Sequence, residues 1–313
     1  MRTIRRLVIG MVAVLVTSLE SGVVPAHATT PGHNGRILFA GDLGRGLQLY
    51  TIEPNGTDLR QITDVVGDAT TADWSPDGHH IVFEHDWAAQ GKDHARIVLV
   101  NADGTNMHDV TTRGRNHQPS FTPDGHHIVY ECECHPDGIF IMRTDGTERR
   151  RLSTNPFHDT DTDPNVSPDG QTVTFVRHKV DEVLQALIAV DIDGTNERQL
   201  TTYKLEVAIK HDWAPDGGHI LIGPHVDRPR GQTPQIATIR PDGTALRFLT
   251  HVPRALAAVA GSYSPNGRWI VFRIVDAEHA RVWLYKIHPD GSNRTLIARM
   301  PFAFNSVDWG TQP

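Results

Sequence analysis

Three groups of residues have the types and spacing for chemistry. Asp159-Thr160-Asp161-Thr162-Asp163 alternates carboxylates, the donor set that a hard cation such as calcium requires. The run has no glycine at its sixth position and no distal glutamate, so it is not an EF-hand loop. The expectation is a solvated acidic loop. His117 and His211, with Gln118, offer nitrogen and oxygen donors for a divalent transition metal if the fold brings them together. Cys132 and Cys134 are the only cysteines. Residues two apart on a strand share a side, at a spacing near the upper limit for a disulfide, so bridging them requires the chain to bend. A local disulfide is expected, with two thiols or half of a metal site as alternatives. No Gly-x-Ser-x-Gly elbow occurs and no nucleophile–base set stands out, so no catalytic residue is assigned.

The elements that position these groups come from an internal repeat. One signature recurs as Trp74-Ser75-Pro76-Asp77-Gly78, Phe121-Thr122-Pro123-Asp124-Gly125, Val166-Ser167-Pro168-Asp169-Gly170, Trp213-Ala214-Pro215-Asp216-Gly217 and Tyr263-Ser264-Pro265-Asn266-Gly267, at glycine intervals of 47, 45, 47 and 50 residues. Between the copies fall Asn55-Gly56-Thr57, Asp103-Gly104-Thr105, Asp145-Gly146-Thr147, Asp193-Gly194-Thr195, Asp242-Gly243-Thr244 and Asp290-Gly291-Ser292. Proline presets one turn dihedral, Asp or Asn suits the next position, and glycine supplies the positive φ. Each repeat therefore reads as four antiparallel strands, a to d, with Ser-Pro-Asp-Gly joining a to b and Asp-Gly-Thr joining c to d.

Strand b is apolar at consecutive positions, as in Ile81-Val82-Phe83, so both faces of each sheet are buried. Such sheets, repeating every 45–50 residues, are blades packed around an axis. Asn34-Gly35-Arg36-Ile37-Leu38-Phe39 matches a turn and strand b without its strand a. Val307-Asp308-Trp309 matches Ala72-Asp73-Trp74, a strand a without its sequel. Joined, they complete a sixth blade and remove an exposed edge. The expected fold is an all-β, six-bladed β-propeller of four-stranded antiparallel blades over residues 35–313, closed by the C-terminal strand.

Residues 1–28 read as a signal peptide: three arginines in Met1–Arg6, an apolar run from Leu7 to Val16, and Ala26-His27-Ala28 for cleavage. Residues 29–34 are a short linker. The run is shorter than the roughly 20 residues of a spanning helix, and no second one follows. The general and the twin-arginine export routes both stay open. The full chain carries 30 Lys+Arg against 37 Asp+Glu, net −7; losing Arg2, Arg5, Arg6 and Glu20 with the leader makes it −9. That balance argues against nucleic acid and anionic membranes as partners. A secreted or periplasmic monomer is expected.

The paired signatures resemble the TolB-like propeller family over essentially all of residues 35–313. In TolB itself the propeller follows an α/β domain and docks a lipoprotein in the envelope; here the repeats begin close to the cleavage site. The resemblance implies a binding role. Oligogalacturonate lyases have related repeats and a His/Gln-held manganese, which gives the alternative, a metal-dependent lyase or hydrolase of a sugar-like substrate in the channel.

The a–b and c–d turns are short and regular and lie on one face. The b–c and d–a connections vary, among them Glu84 to Ala95, Pro224 to Pro234, Thr154 to Asp163 and Thr250 to Ala258. Binding residues collect on such loops. Strand a is innermost, so the residues entering it should line the channel mouth: Thr71, then Arg115, His117 and Gln118, then Asp161 and Asp163, then Lys210, His211 and Asp212. Ala258-Val259-Ala260 would make the opposite side apolar. The expected function is non-catalytic docking of a protein, peptide or cell-envelope component there, with no cofactor required.

Overall fold

The computed structural model describes residues 32–89, 92–155, 159–179, 184–226, 233–300 and 304–313. The expected leader, the linker up to residue 31, and parts of the Thr154–Asp163 and Pro224–Pro234 connections lie outside these residues. Among the described residues no helix is long and apolar enough to cross a membrane.

The fold is the expected six-bladed propeller, in which every blade is an antiparallel sheet ordered a-b-c-d from the axis outward. In the blade that closes the ring, Phe304–Thr311 is strand a, and Asn34–Asp42, Leu47–Ile52 and Arg60–Gln61 follow it. The other strands a are Asp68–Trp74, Asn116–Phe121, Thr160–Val166, Val207–Trp213 and Ala257–Tyr263. The blade containing Val207–Trp213 gains a short extra strand, Thr233–Pro234.

Turn chemistry accounts for the repeat signatures. The Asp77 carboxylate accepts the Ser75 hydroxyl at 2.6 Å and the His79 N–H at 3.0 Å, while Gly78 takes φ +71°. In the c–d turns Asp103 accepts the Thr105 hydroxyl and N–H at 2.6 and 2.9 Å, bonds that hold its carboxyl below the ordinary range. Ile81, Val82 and Phe83 are fully buried. The apolar clusters lie between neighbouring blades, as where Leu38 and Leu49 meet Trp74, Ile81 and Phe83.

Two devices shape the axis. First, the a–b pairing of every blade is broken by a register shift, at Thr70/Asp73, His117/Ser120, Thr162/Asn165, Ala208/Asp212, Ala260/Ser262 and, against Phe39/Ala40, in the closing strand. Thr71, Gln118, Asp163, Lys210 and Ser306 take positive φ at these bulges, a device that re-aims side chains. Second, the aspartate before the aromatic residue ties its blade to the next. Asp308 accepts the Trp74 N–H at 2.9 Å, Asp73 the Phe121 N–H at 2.8 Å, and Asp212 the Tyr263 N–H at 2.7 Å.

These carboxylates share a confined space. Burial, then the charge of Asp308, raises Asp73 well above the ordinary carboxylate range. Burial pushes Asp212 up to about 6, with Lys210 pulling the other way and Asp308 adding to the rise. A carboxyl held above its unfolded value removes stability as the pH climbs from about 4 through about 6, and the loss is complete above that. For Asp212 this is at most about 3 kcal/mol.

Two outcomes are expected. In a carbon-13 carboxyl NMR titration, Asp308→Asn brings the Asp212 midpoint below about 6; an unmoved midpoint would assign the whole rise to burial. Gly310→Ala places a Cβ about 2.6 Å from the Trp74 ring at the closure seam, and denaturant unfolding should show a loss of about 1–3 kcal/mol.

Candidate functional site

The bulges open a cavity of about 280 Å³ on the variable-loop side of the channel. Thr71, Gln118, Asp163, Lys210 and Ser306 contribute to its wall, with Asn305, Val259 and Arg273. Next along the axis, toward the turn face, comes a space of about 20 Å³ bordered by Asp73, Asp212 and Asp308, room for about one water. Lys210 stands between the two spaces. Its burial works against the charged form, but Asp308, Asp163, Asp73 and Asp212 outweigh it and raise its pKa.

The wall is held by bonds that run from blade to blade. Glu84 accepts the Thr71 hydroxyl at 2.8 Å and the Gln118 N–H at 2.9 Å. The Gln118 side-chain oxygen accepts the Asp163 N–H. Asp163 in turn accepts the Lys210 N–H at 2.6 Å and the His211 N–H at 3.2 Å. The cavity is therefore shaped by fixed polar groups, and a ligand meets donors and acceptors already oriented.

The expected site residues divide into two sets. Thr71, Gln118, Asp163 and Lys210 converge on the cavity, and Asp212 sits one level deeper. Arg115, His117, Asp161 and His211 are not part of its wall. Arg115 is exposed and pairs with Glu133 at 3.3 Å. Asp161 is buried against Arg177, which also holds Glu197. His211 is fully buried and uses both ring nitrogens, on Asp163 at 3.1 Å and on Thr174 Oγ1 at 2.8 Å, so it has none left for a metal shared with His117.

The acidic run is likewise not the solvated loop the sequence led us to expect. Asp159 and Asp161 are buried and Asp163 is partly buried. Each faces its own base: Lys179 at 3.0 Å, Arg177 at 2.7 Å and His211 at 3.1 Å. Partners on three separate positions draw the carboxylates apart. The expected apolar side of the mouth is also only partly apolar, because Arg273 joins Val259 there. Burial lowers the Arg273 guanidinium to about 10.

Sequence reasoning missed Glu84, Glu131 and Arg273. All three occupy one repeat position in strand b, where other blades carry Val176, Gly223 and Ala40. A charge inside an otherwise apolar strand was the available signal. Glu84, Asp86 and His117 form the one group among the described residues whose donor atoms, within 4.8 Å of one another, could hold a cation. His117 Nδ1 lies 2.7 Å from Glu84. Burial raises Glu84, but His117, Asp86 and the Gln118 N–H bring it down to about 2. Asp86 is pushed up to about 7 by burial and by Glu84, and Glu131 to about 8 mainly by burial. Cys132 and Cys134 are joined in the expected local disulfide, Cα to Cα 5.2 Å, and the strand ends at Cys132 as bridging requires.

Residues 12–209 match the family model for the TolB β-propeller domain. A 37-residue stretch is 46% identical to the Tol-Pal system protein TolB of Nitratidesulfovibrio vulgaris, covering 12% of this chain and 8% of that protein. Among solved structures, TolB from Acinetobacter baumannii aligns with a TM-score of 0.70 at 18% identity, over 89% of this chain and 67% of that one. The structure of putative TolB from Agrobacterium tumefaciens gives 0.64 at 20%, over 85% and 89%. An oligogalacturonate lyase in complex with manganese gives 0.54 at 13%, over 87% and 75%. At these identities the structural likenesses speak to the fold. With the family model matched over more than half of its length and every repeat in place, the chain belongs to the TolB β-propeller family.

Proposed function

We propose that this protein is exported and acts as a non-catalytic binding protein, docking a protein, peptide or envelope component on its variable-loop face. The observation that carries this reading is the cavity at the channel mouth. Bulge residues of different chemistry meet there, in a wall fixed by bonds between blades. With Lys210 and Arg273 beside Asp163 and Val259, the mouth suits an inserted segment that offers both polar and apolar groups. Preorganisation of this kind lowers the ordering cost of binding. Family membership and the short match to a Tol-Pal system TolB support a Tol-Pal-type binding role.

Export outside the cytoplasm rests on the arginine-rich start, the apolar run and Ala26-His27-Ala28. The Cys132–Cys134 bridge suits an oxidising compartment. The protein acts as a monomer in this reading. A lyase built on His117 and His211 lacks its second ligand, because both nitrogens of His211 are engaged elsewhere.

Two measurements test the proposal. Intact-mass analysis of the exported protein should give a chain starting at Thr29; retention of the first 28 residues outside the cytoplasm would contradict it. In capture from envelope extract, Val259→Arg fills the mouth and should weaken retention of a discrete partner at least about tenfold, about 1.4 kcal/mol. Glu148→Arg, on the turn face, should leave it unchanged. Equal retention by both folded variants would move the docking surface away from the mouth.

A further inference from the structure

Between the blade whose strand a is Asp68–Trp74 and the blade whose strand a is Asn116–Phe121, behind the cavity wall, lies a group of side chains that the docking role does not use. Glu84 and Glu131 are 6% and 8% exposed, and they sit at the same position of consecutive strands b. His117 is the cross-strand partner of Glu131. The carboxyl oxygens of Glu84 and Asp86, two residues apart on one side of the strand, come within 4.8 Å of each other, a spacing at which two carboxylates repel unless a proton or a cation stands between them.

One buried polar atom here is left without a hydrogen bond. His117 Nε2 is buried and makes no hydrogen bond; the carboxylate of Glu133 stands 3.4 Å away, at ion-pair distance. Buried polar atoms are nearly always satisfied, so each exception calls for an explanation. A cation ligated through Nδ1, the nitrogen that faces Glu84, leaves the Nε2 N–H to be oriented by Glu133, the usual arrangement around a metal-bound imidazole. Ligands at about 2.0–2.2 Å from a common centre lie at most about 4.4 Å apart, and the donor atoms of Glu84, Asp86 and His117 are all within 4.8 Å of one another.

We propose that Glu84, Asp86 and His117 form a binding site for one divalent transition-metal ion between these two blades. One imidazole with two carboxylates suits Zn²⁺ or Mn²⁺ better than it suits Mg²⁺ or Ca²⁺, which favour all-oxygen sets. The site is separate from the channel carboxylates. It also bears on the cavity, because Glu84 holds Thr71 and Gln118 in the wall, so an ion on Glu84 fixes that part of the mouth.

The test uses the purified mature chain after chelator treatment and dialysis, titrated calorimetrically with ZnCl₂ and, separately, MnCl₂. One saturable equivalent of at least one metal is expected. Asp86→Asn and His117→Gln should each weaken it at least about tenfold, whereas His279→Gln, at an exposed turn, should not. No saturable binding of either metal, or full affinity in either site variant, overturns the proposal. Should those variants fail to fold, electron spin echo measurements on wild-type protein with Mn²⁺ decide. Modulation from a single imidazole nitrogen is expected, and its absence overturns the site.

Discussion

A blade of this propeller cannot stand alone, because both faces of its sheet are apolar, as the complete burial of Ile81, Val82 and Phe83 shows. Everything else follows from the need to press each blade between two neighbours. Apolar packing brings the blades together without direction, and the aspartates at the axis supply direction. Asp308, Asp73 and Asp212 each accept a backbone N–H from the following blade. A backbone N–H left unpaired at such a place costs about 1–3 kcal/mol, so these bonds fix how far each blade rotates against the next. The closing blade is held by the same means, with one of its strands from the far end of the chain.

That solution crowds like charges at the axis, and Lys210 answers the crowding. Its ammonium is the basic group among Asp73, Asp163, Asp212 and Asp308. It reaches them because a bulge with φ +82° turns its side chain inward. The geometry that relieves the repulsion also forms the floor of the mouth cavity. Structural electrostatics and the binding surface are thus one arrangement here.

The repeat made the architecture legible. Turn residues have local chemistry that can be read without knowing the fold, and the split blade was legible because Val307-Asp308-Trp309 copies Ala72-Asp73-Trp74. The site was legible in part. Thr71, Gln118, Asp163, Lys210 and Asp212 follow from the rule that strand a faces the axis. Arg115, His117, Asp161 and His211 stand beside them in sequence yet point elsewhere, because the inference took every residue entering strand a, whereas each bulge turns the positive-φ residue to the mouth. Buried pairs such as Asp161–Arg177 escaped notice because their partners come from a different strand.

The bulge has a consequence for how such a protein changes over time. Its residue is set by backbone geometry, and its side chain turns to the mouth and to the neighbouring blade rather than into an apolar cluster. Thr71, Gln118, Asp163, Lys210 and Ser306 are five different answers at one structural address. Substitution there alters what the mouth recognises, and at Gln118 and Asp163 it also removes a bond to the next blade. The fold thereby offers selection a set of linked dials, in which a change on one blade calls for an answering change on the next.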